Sequence, residues 1–196
     1  MTAKHILLIQ GHPDALLHHL CHELEDAYAL GAESAGHEVR RVSVAQLDFP
    51  VLRSQQAWET GALPPALAQA QADIAWAQHI VLIFPLWLGD MPALLKGFLE
   101  QVARPGFAFK PGGRNPWGRK ALTGRSARVI VTMGMPALVY RWYFRAHSLK
   151  SLERNILGFV GMSPVSETLI GQVDELGDAG VKKWTEKMAR LGAAAQ

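Results

Sequence analysis

HIVLIF at residues 79–84, running into PLWLGDMP at 85–92, is an apolar stretch ended by a proline and a glycine-containing turn. Apolar residues without polar alternation are the form of a strand covered on both faces. Pro92 can then open a helix whose apolar positions are Leu94, Leu95, Phe98, Leu99 and Val102. Outward from this unit, HILLI at 5–9 and ARVIVT at 127–132 repeat the buried-strand pattern. Leucines 16, 17, 20 and 24, with Ala27 and Tyr28, predict a helix from Leu16 to about Leu30. Val39, Val42 and Val44 permit a second strand, and Pro64 and Pro65 begin a helix carried on by Leu67, Ala70, Ile74 and Ala77. A helical region follows around 137–155. PVSETLI at 164–170 suits an edge strand or a loop, and Val173–Leu191 holds a last helix broken early by Gly177 and Gly180. Strand and helix alternate, which predicts a parallel sheet with helices on both faces.

A chain of 196 residues suits one domain spanning residues 1–196 and can bury a full core. Its composition, 49% hydrophobic and 19% charged, is that of a globular protein. No apolar run reaches the roughly 20 residues that cross a bilayer, and no secretory leader pattern is present. The expectation is a soluble, cytoplasmic protein without an integral membrane segment. Cys21 is the single cysteine and has no partner for an intrachain disulfide. Charge is uneven: residues 1–100 carry five Lys or Arg against eleven Asp or Glu, while residues 101–152 carry ten basic residues and no acidic one. That stretch, from Arg104 through Arg114 and Arg128 to Lys150, fits either a solvated face or a site for an anionic ligand. It contains no nucleic-acid-binding module.

In open α/β sheets ligands gather outside the carboxyl ends of the strands, which directs attention to 10–19, 85–90 and 132–140. Gly11, His12 and Pro13 form a turn before a helix, where free N–H groups and an imidazole can meet a phosphate. The dinucleotide glycine fingerprint and the phosphate-loop lysine motif are both absent. Pro85 ends its strand, and Trp87 places a large ring at the mouth. Gly89 permits close backbone approach. In TMGMPALVY at 132–140, the N–H groups around Met133, Gly134 and Met135 can donate to carbonyls or ring nitrogens, and Tyr140 offers a phenolic donor. His147 can bind substrate or take a proton if its helix turns it inward. His18 and His22 share a helix face, yet two imidazoles do not complete a metal site, and none is expected. No GxSxG elbow for serine hydrolysis is present.

These loops resemble the flavodoxin-like NAD(P)H:quinone oxidoreductase family. The matching pieces are GHP at 11–13, FPLWLGDMPALLKGFLEQV at 84–102, PGFAF at 105–109, and TMGMP with Tyr140 at 132–140. The resemblance implies a flavodoxin-like three-layer sandwich, its five-stranded parallel sheet in 2-1-3-4-5 order, and a homodimer with flavin near the subunit interface. It implies hydride transfer from NADH or NADPH to the flavin, then to a quinone or another small electrophile by ping-pong kinetics. His12 falls near the flavin phosphate; Pro85, Leu86, Trp87 and Leu88 fall beside the isoalloxazine. Thr132, Met133, Gly134, Met135 and Tyr140 fall at its pyrimidine side, with Tyr140 and His147 as the catalytic candidates.

The sequence also departs from the pattern it resembles. Relatives place a Ser or Thr and then an Asn after the GHP turn, where Leu17 and His19 stand here. Met133 and Met135 replace a Thr and a Gly. A histidine found six residues after the tyrosine in some relatives is Ala146 here, with His147 one place farther on. FMN is favoured over FAD because no long extension is evident to enclose an adenosine arm, and the basic segment favours NADPH over NADH. Competing readings are an azo- or nitro-compound reductase using the same flavin, and a non-catalytic regulatory or transporter-ancillary protein on the same scaffold.

Overall fold

The computed structural model describes residues 2–110 and 119–196; Arg114 of the basic segment lies outside them. Among the described residues seven strands and eight helices follow in chain order. They are β1 (His5–Gln10), α1 (Leu20–Ser34), β2 (Glu38–Ser43), α2 (Gln55–Glu59), α3 (Ala68–Trp76), β3 (His79–Pro85) and α4 (Ala93–Val102). After them come β4 (Phe109–Lys110), β5 (Arg119–Lys120), β6 (Ser126–Thr132), α5 (Ala137–Trp142), α6 (His147–Ser151), α7 (Gly158–Val160), β7 (Val165–Ile170) and α8 (Gly177–Ala194). A wide π-helical turn, Leu152–Leu157, joins α6 to α7. Among the described residues no helix is long and apolar enough to cross a membrane.

The large sheet is parallel throughout and ordered β2-β1-β3-β6-β7. This differs in numbering from the expected 2-1-3-4-5. Two short strands that the sequence reading lacked, β4 and β5, come fourth and fifth in the chain and pair antiparallel in a ribbon of their own. Two residues each are too few to carry a readable alternation.

The apolar runs split by parity, as the two-residue strand period demands. Leu7, Ile9, Leu82, Phe84 and Val129 pack one face against Leu95 and Phe98 of α4 and against the segment from α5 to α7. Ile6, Leu8, Val81, Ile83 and Ile130 pack the other against Leu24 and Tyr28 of α1 and Met188 of α8. Each fully buried aliphatic side chain contributes about 1.5–3 kcal/mol. Helices α1 and α8 lie unusually close: a Cβ on Gly192 would stand 2.0 Å from the Tyr28 carbonyl oxygen.

Three element bounds differ from the sequence reading. Helix α1 begins at Leu20, because the chain from Asp14 to His19 is a turn that leaves Leu16 and Leu17 92% and 64% exposed. The 137–155 region is two helices, parted where Arg145 and Ala146 adopt left-handed backbone at φ +54° and +49°. Gly177 starts the last helix, with a φ of +54°, and does not break it. PVSETLI does form a strand, β7, and its polar centre is tolerated because it is the sheet's edge.

The register brings the carboxyl ends level. Gln10 sits beside Ile83, Pro85 beside Thr132, and Thr132 beside Ile170. Hydrogen bonds carry the ladder one residue further, from Gly11 N–H to the Ile83 carbonyl (2.7 Å), Leu86 N–H to Thr132 (2.7 Å) and Met133 N–H to Ile170 (2.8 Å). Four loops therefore leave the sheet along one line.

Candidate functional site

The loop after β3 is a tight hairpin. Trp87 and Asp90 exchange both backbone hydrogen bonds, at 2.9 and 3.0 Å, around Leu88 and Gly89 with φ of +48° and +82°. Positive φ at both central residues is the mirror-image turn that glycine and asparagine favour. Leucine at its first position carries backbone strain, and its side chain stands fully in solvent. Half of Trp87 is exposed beside it.

The loop after β6 has donors to spare. Thr132 and Met133 are buried, and the Thr132 hydroxyl lies 3.3 Å from the Cys21 thiol. Burial pushes that thiol up to about 11, so it is a structural neighbour and not a nucleophile. Among the described residues the N–H groups of Gly134 and Met135 make no hydrogen bond, while the Met135 carbonyl accepts from Gln172 N–H at 3.2 Å.

Leu88, Gly89, Met135, Tyr140, Phe144 and His147 enclose a hollow of about 280 Å³. The structure thus brings Tyr140 and His147 to one place with the hairpin tip. Tyr140 is only 2% exposed, and its hydroxyl is engaged internally: it lies 2.7 Å from the Ser148 hydroxyl and accepts the Leu149 N–H at 3.2 Å. The phenol therefore fixes the start of α6, and with it His147.

The loop after β1 brings the sequence-predicted His12 together with His19 and His22, a clustering of imidazoles that the sequence pattern did not show. His12 is buried at the end of β1, its ring stacked 3.9 Å from His19 and edge-on to Trp87 at 6.1 Å. His12 Nδ1 accepts the Asp14 N–H at 3.2 Å, which places the proton of a neutral ring on Nε2. Desolvation, then the neighbouring His19 and His22, hold His12 below the usual imidazole range; desolvation, then His18 and His19, do the same for His22. Beneath them Gln10 donates to the Cys21 carbonyl and to Glu25, both at 3.0 Å. Desolvation raises the Glu25 carboxyl despite that bond. Leu17 is solvent-exposed and borders a separate hollow of about 470 Å³ with His18, His22, Asp26 and Arg41. Among the described residues no group of His, Cys, Asp or Glu is arranged to hold a metal ion.

Three cations of the basic segment are spent on backbone carbonyls. Arg104 donates to Ala57 (2.8 Å) and Gly61 (2.7 Å), Lys120 to Gly158 (2.8 Å), and Arg125 to Ile74 (3.2 Å) and Ala75 (2.7 Å), the last turn of α3. Arg128 donates to Thr168 at 2.8 Å. Arg141 pairs with Glu167 and, with Arg145, Lys150 and Arg154, borders a hollow of about 500 Å³ next to α6. Among the described residues, this last group is the basic cluster that lines an open hollow, which Glu153 and Glu167 share.

Near the strand ends stand groups suited to a planar heteroaromatic ring: half-exposed Trp87, the His12 Nε2 donor and, among the described residues, the unpaired N–H donors of Gly134 and Met135, of which Met135 borders the hollow with Leu88. An attached phosphate fits less simply, since a carboxylate, Asp14, already holds part of the loop that faces it.

The flavodoxin-like fold family matches residues 4–193. A ribosyldihydronicotinamide dehydrogenase-like protein of Penicillium crustosum, traD, is 36% identical over 87 residues, covering 41% of this chain and 33% of its own. An uncharacterised NAD(P)H oxidoreductase of Haemophilus influenzae is 28% identical over 131 residues, 66% of this chain and 64% of that one. The chain thus spans a third of the first relative's length and just under two-thirds of the second's. Among solved structures, an NAD(P)H:quinone oxidoreductase from Methanothermobacter marburgensis superposes with a TM-score of 0.82 at 23% identity, over 100% of both chains. An FMN-dependent NADH-azoreductase from Bacillus anthracis, in complex with FMN, gives 0.72 at 18%, covering 96% and 97%. Both structural likenesses are of fold.

Proposed function

The chain belongs to the flavodoxin-like fold family, and on that premise we propose that it is a flavin-dependent NAD(P)H:quinone oxidoreductase, with residues 1–196 acting as one flavin-binding domain. The observation that carries the reading is the convergence of the His12, Trp87 and Gly134–Tyr140 loops at level strand ends. FMN is the proposed flavin, with NADPH or NADH as reductant. When bound, a flavin would supply two-electron chemistry, by which a hydride from the nicotinamide and one proton from solvent would convert a quinone acceptor to its hydroquinone.

The remaining work belongs to the chain. Gly134 and Met135 N–H groups would stabilise negative charge on a bound flavin without reorganising, because neither is bound among the described residues. Pro85, Leu86, Trp87 and Leu88 form the apolar wall that excludes water. Thr132 and Met133, buried beneath, fix the loop's height, and Tyr140 positions His147 at the acceptor's side. One face serves both substrates in turn, which gives ping-pong kinetics. Leu138, Trp142, Tyr143 and Phe144 are exposed beside the hollow. A second copy of the chain is the proposed cover, making a homodimer, and the cytoplasm is the proposed compartment.

Purified protein should carry or take up FMN with a protein-bound absorption spectrum, and anaerobic NADPH or NADH should bleach it. Failure of saturating FMN and FAD to bind, together with no bleaching by either nicotinamide, would remove the oxidoreductase reading and favour a non-catalytic scaffold. The azoreductase likeness makes acceptor choice the second question. Re-oxidation rates with quinones, azo dyes and nitroarenes decide it, the quinones being expected to react fastest.

A further inference from the structure

The loop between β1 and α1 already contains an anion. Asp14 Oδ1 accepts the N–H groups of Leu16 at 2.8 Å and Leu17 at 3.4 Å, and its Oδ2 accepts from His19 Nε2 at 2.8 Å. These are the kinds of donor that a phosphate takes where a strand turns into a helix. The ring of His19 is held in place by its stack on His12, so the donor stays put whatever it is bonded to. The bonds from His19 and then Leu16 hold the Asp14 carboxyl below the usual carboxylate range. Its side chain is about one-third exposed, so the carboxylate borders solvent.

The surrounding charge does not offset it. Asp26 and Glu25 lie on the next turn of α1, and the fixed cation at this corner, Arg41, is paired with Asp26. His18 also meets Asp26, at 3.5 Å. His12 and His22 are depressed imidazoles that carry little charge at neutral pH. A phosphate dianion arriving here meets donors turned toward a carboxylate and a like charge within the same loop.

Resting on the reading of the strand ends as a flavin site, we propose that Asp14 is the residue that sets how the protein discriminates phosphorylated from unphosphorylated flavin. Its carboxylate occupies the loop as a built-in stand-in for the phosphate. FMN binds by expelling it, whereas riboflavin leaves it in place. The isoalloxazine contacts at Trp87, Gly134 and Met135 are common to both ligands, so Asp14 acts on their ratio and not on the ring.

The test is titration of wild type, Asp14→Asn and Asp14→Ala with FMN and with riboflavin, read by flavin fluorescence and calorimetry. Asparagine keeps an oxygen acceptor for the Leu16 and Leu17 N–H groups and preserves the turn; alanine empties it. Removing the charge should tighten FMN by about tenfold or more while riboflavin changes by less than about twofold. An FMN-to-riboflavin ratio that is unchanged or lowered in both variants overturns the role of Asp14 and leaves the flavin site standing. If neither flavin binds any of the three proteins, the site itself is lost, and the role of Asp14 with it.

Discussion

At the amino ends of the strands, polar side chains close inward on residues 193–196, where α8 ends. Tyr28 donates to the Gln196 carbonyl at 2.9 Å, Lys4 to Ala195 at 3.4 Å, and His37 Nε2 lies 3.2 Å from the Ala193 carbonyl. His79 and Ser126, the first residues of β3 and β6, bond to each other at 2.7 Å. At the carboxyl ends the same sheet leaves backbone N–H groups at Gly134 and Met135 without partners among the described residues. It also holds left-handed non-glycine residues at Leu88, Arg145 and Ala146 and exposes Trp87, Trp142 and Tyr143. The amino end spends most of its polar groups on internal bonds, although His79 Nε2 and Arg128 Nε are buried there without a partner, while the carboxyl end leaves backbone donors open to a ligand. Unsatisfied donors and strained backbone are costs that persist where function uses them.

The largest expected break in this contrast is at Gly171, just past β7. A Cβ there would meet the Ala137 nitrogen at 2.4 Å and the Met135 carbonyl oxygen at 2.7 Å, both backbone atoms that cannot rotate away. Gly171→Ala should push the 134–137 loop off the site. We expect about 3 kcal/mol lost in urea unfolding, the upper range for overpacking, and at least about tenfold weaker FMN. Lost stability with unchanged FMN affinity would mean that this loop does not face the ring.

The amino end is breakable by acid. Burial, then the Lys4 and Arg128 cations, push His79 down to about 4 from 6.5. Between those values the unfolded chain binds the extra proton, so stability falls as pH drops from 6.5 toward 4, by about 2 kcal/mol at pH 5. Urea melts at pH 7 and pH 5 should show that loss in wild type and a flatter profile in His79→Asn. An identical pH dependence in the two proteins would place the acid-sensitive group elsewhere. Flavin affinity at pH 7 should not respond to this substitution.

The same division governs what was legible in the sequence. Strands β1, β3 and β6 are continuous apolar runs with prolines and glycines beyond their ends, so local residues alone announce them. The positions of His12, Trp87 and Gly134 followed, because strand ends are where turns and ligands gather. The start of α1 did not: Leu16 and Leu17 continue the helical spacing, yet Asp14 takes their N–H groups and turns the chain. An Asp two residues before an exposed pair is a known turn former, the one signal that was available. The break at Arg145 and Ala146 carries no such mark. It is held from a distance, by the Ala146 N–H bonding to the Tyr140 carbonyl at 3.0 Å and the phenol capping Leu149. The internal engagement of the Tyr140 hydroxyl, likewise, depends on Ser148 arriving from the next helix.

The smallest expected effect is also the sharpest test of the contrast, because it should move stability and binding in opposite directions. Leu88 occupies the first central position of the Trp87–Asp90 hairpin at φ +48°, and its fully exposed side chain gains nothing from packing within the chain. Leu88→Asn would give Asn-Gly, the pair this turn prefers, and should stabilise the flavin-free protein by about 0.5–1 kcal/mol, or about 1–4 °C in Tm for a domain of this size. If the leucine is kept because it walls the hollow with Met135 and Phe144, the same variant should bind FMN about threefold to tenfold less tightly. A protein that melts higher and binds FMN as well as wild type would show that the strain at this turn serves something other than the flavin. One that melts lower would show that Leu88 is already packed, against a second copy of the chain, in the protein as purified.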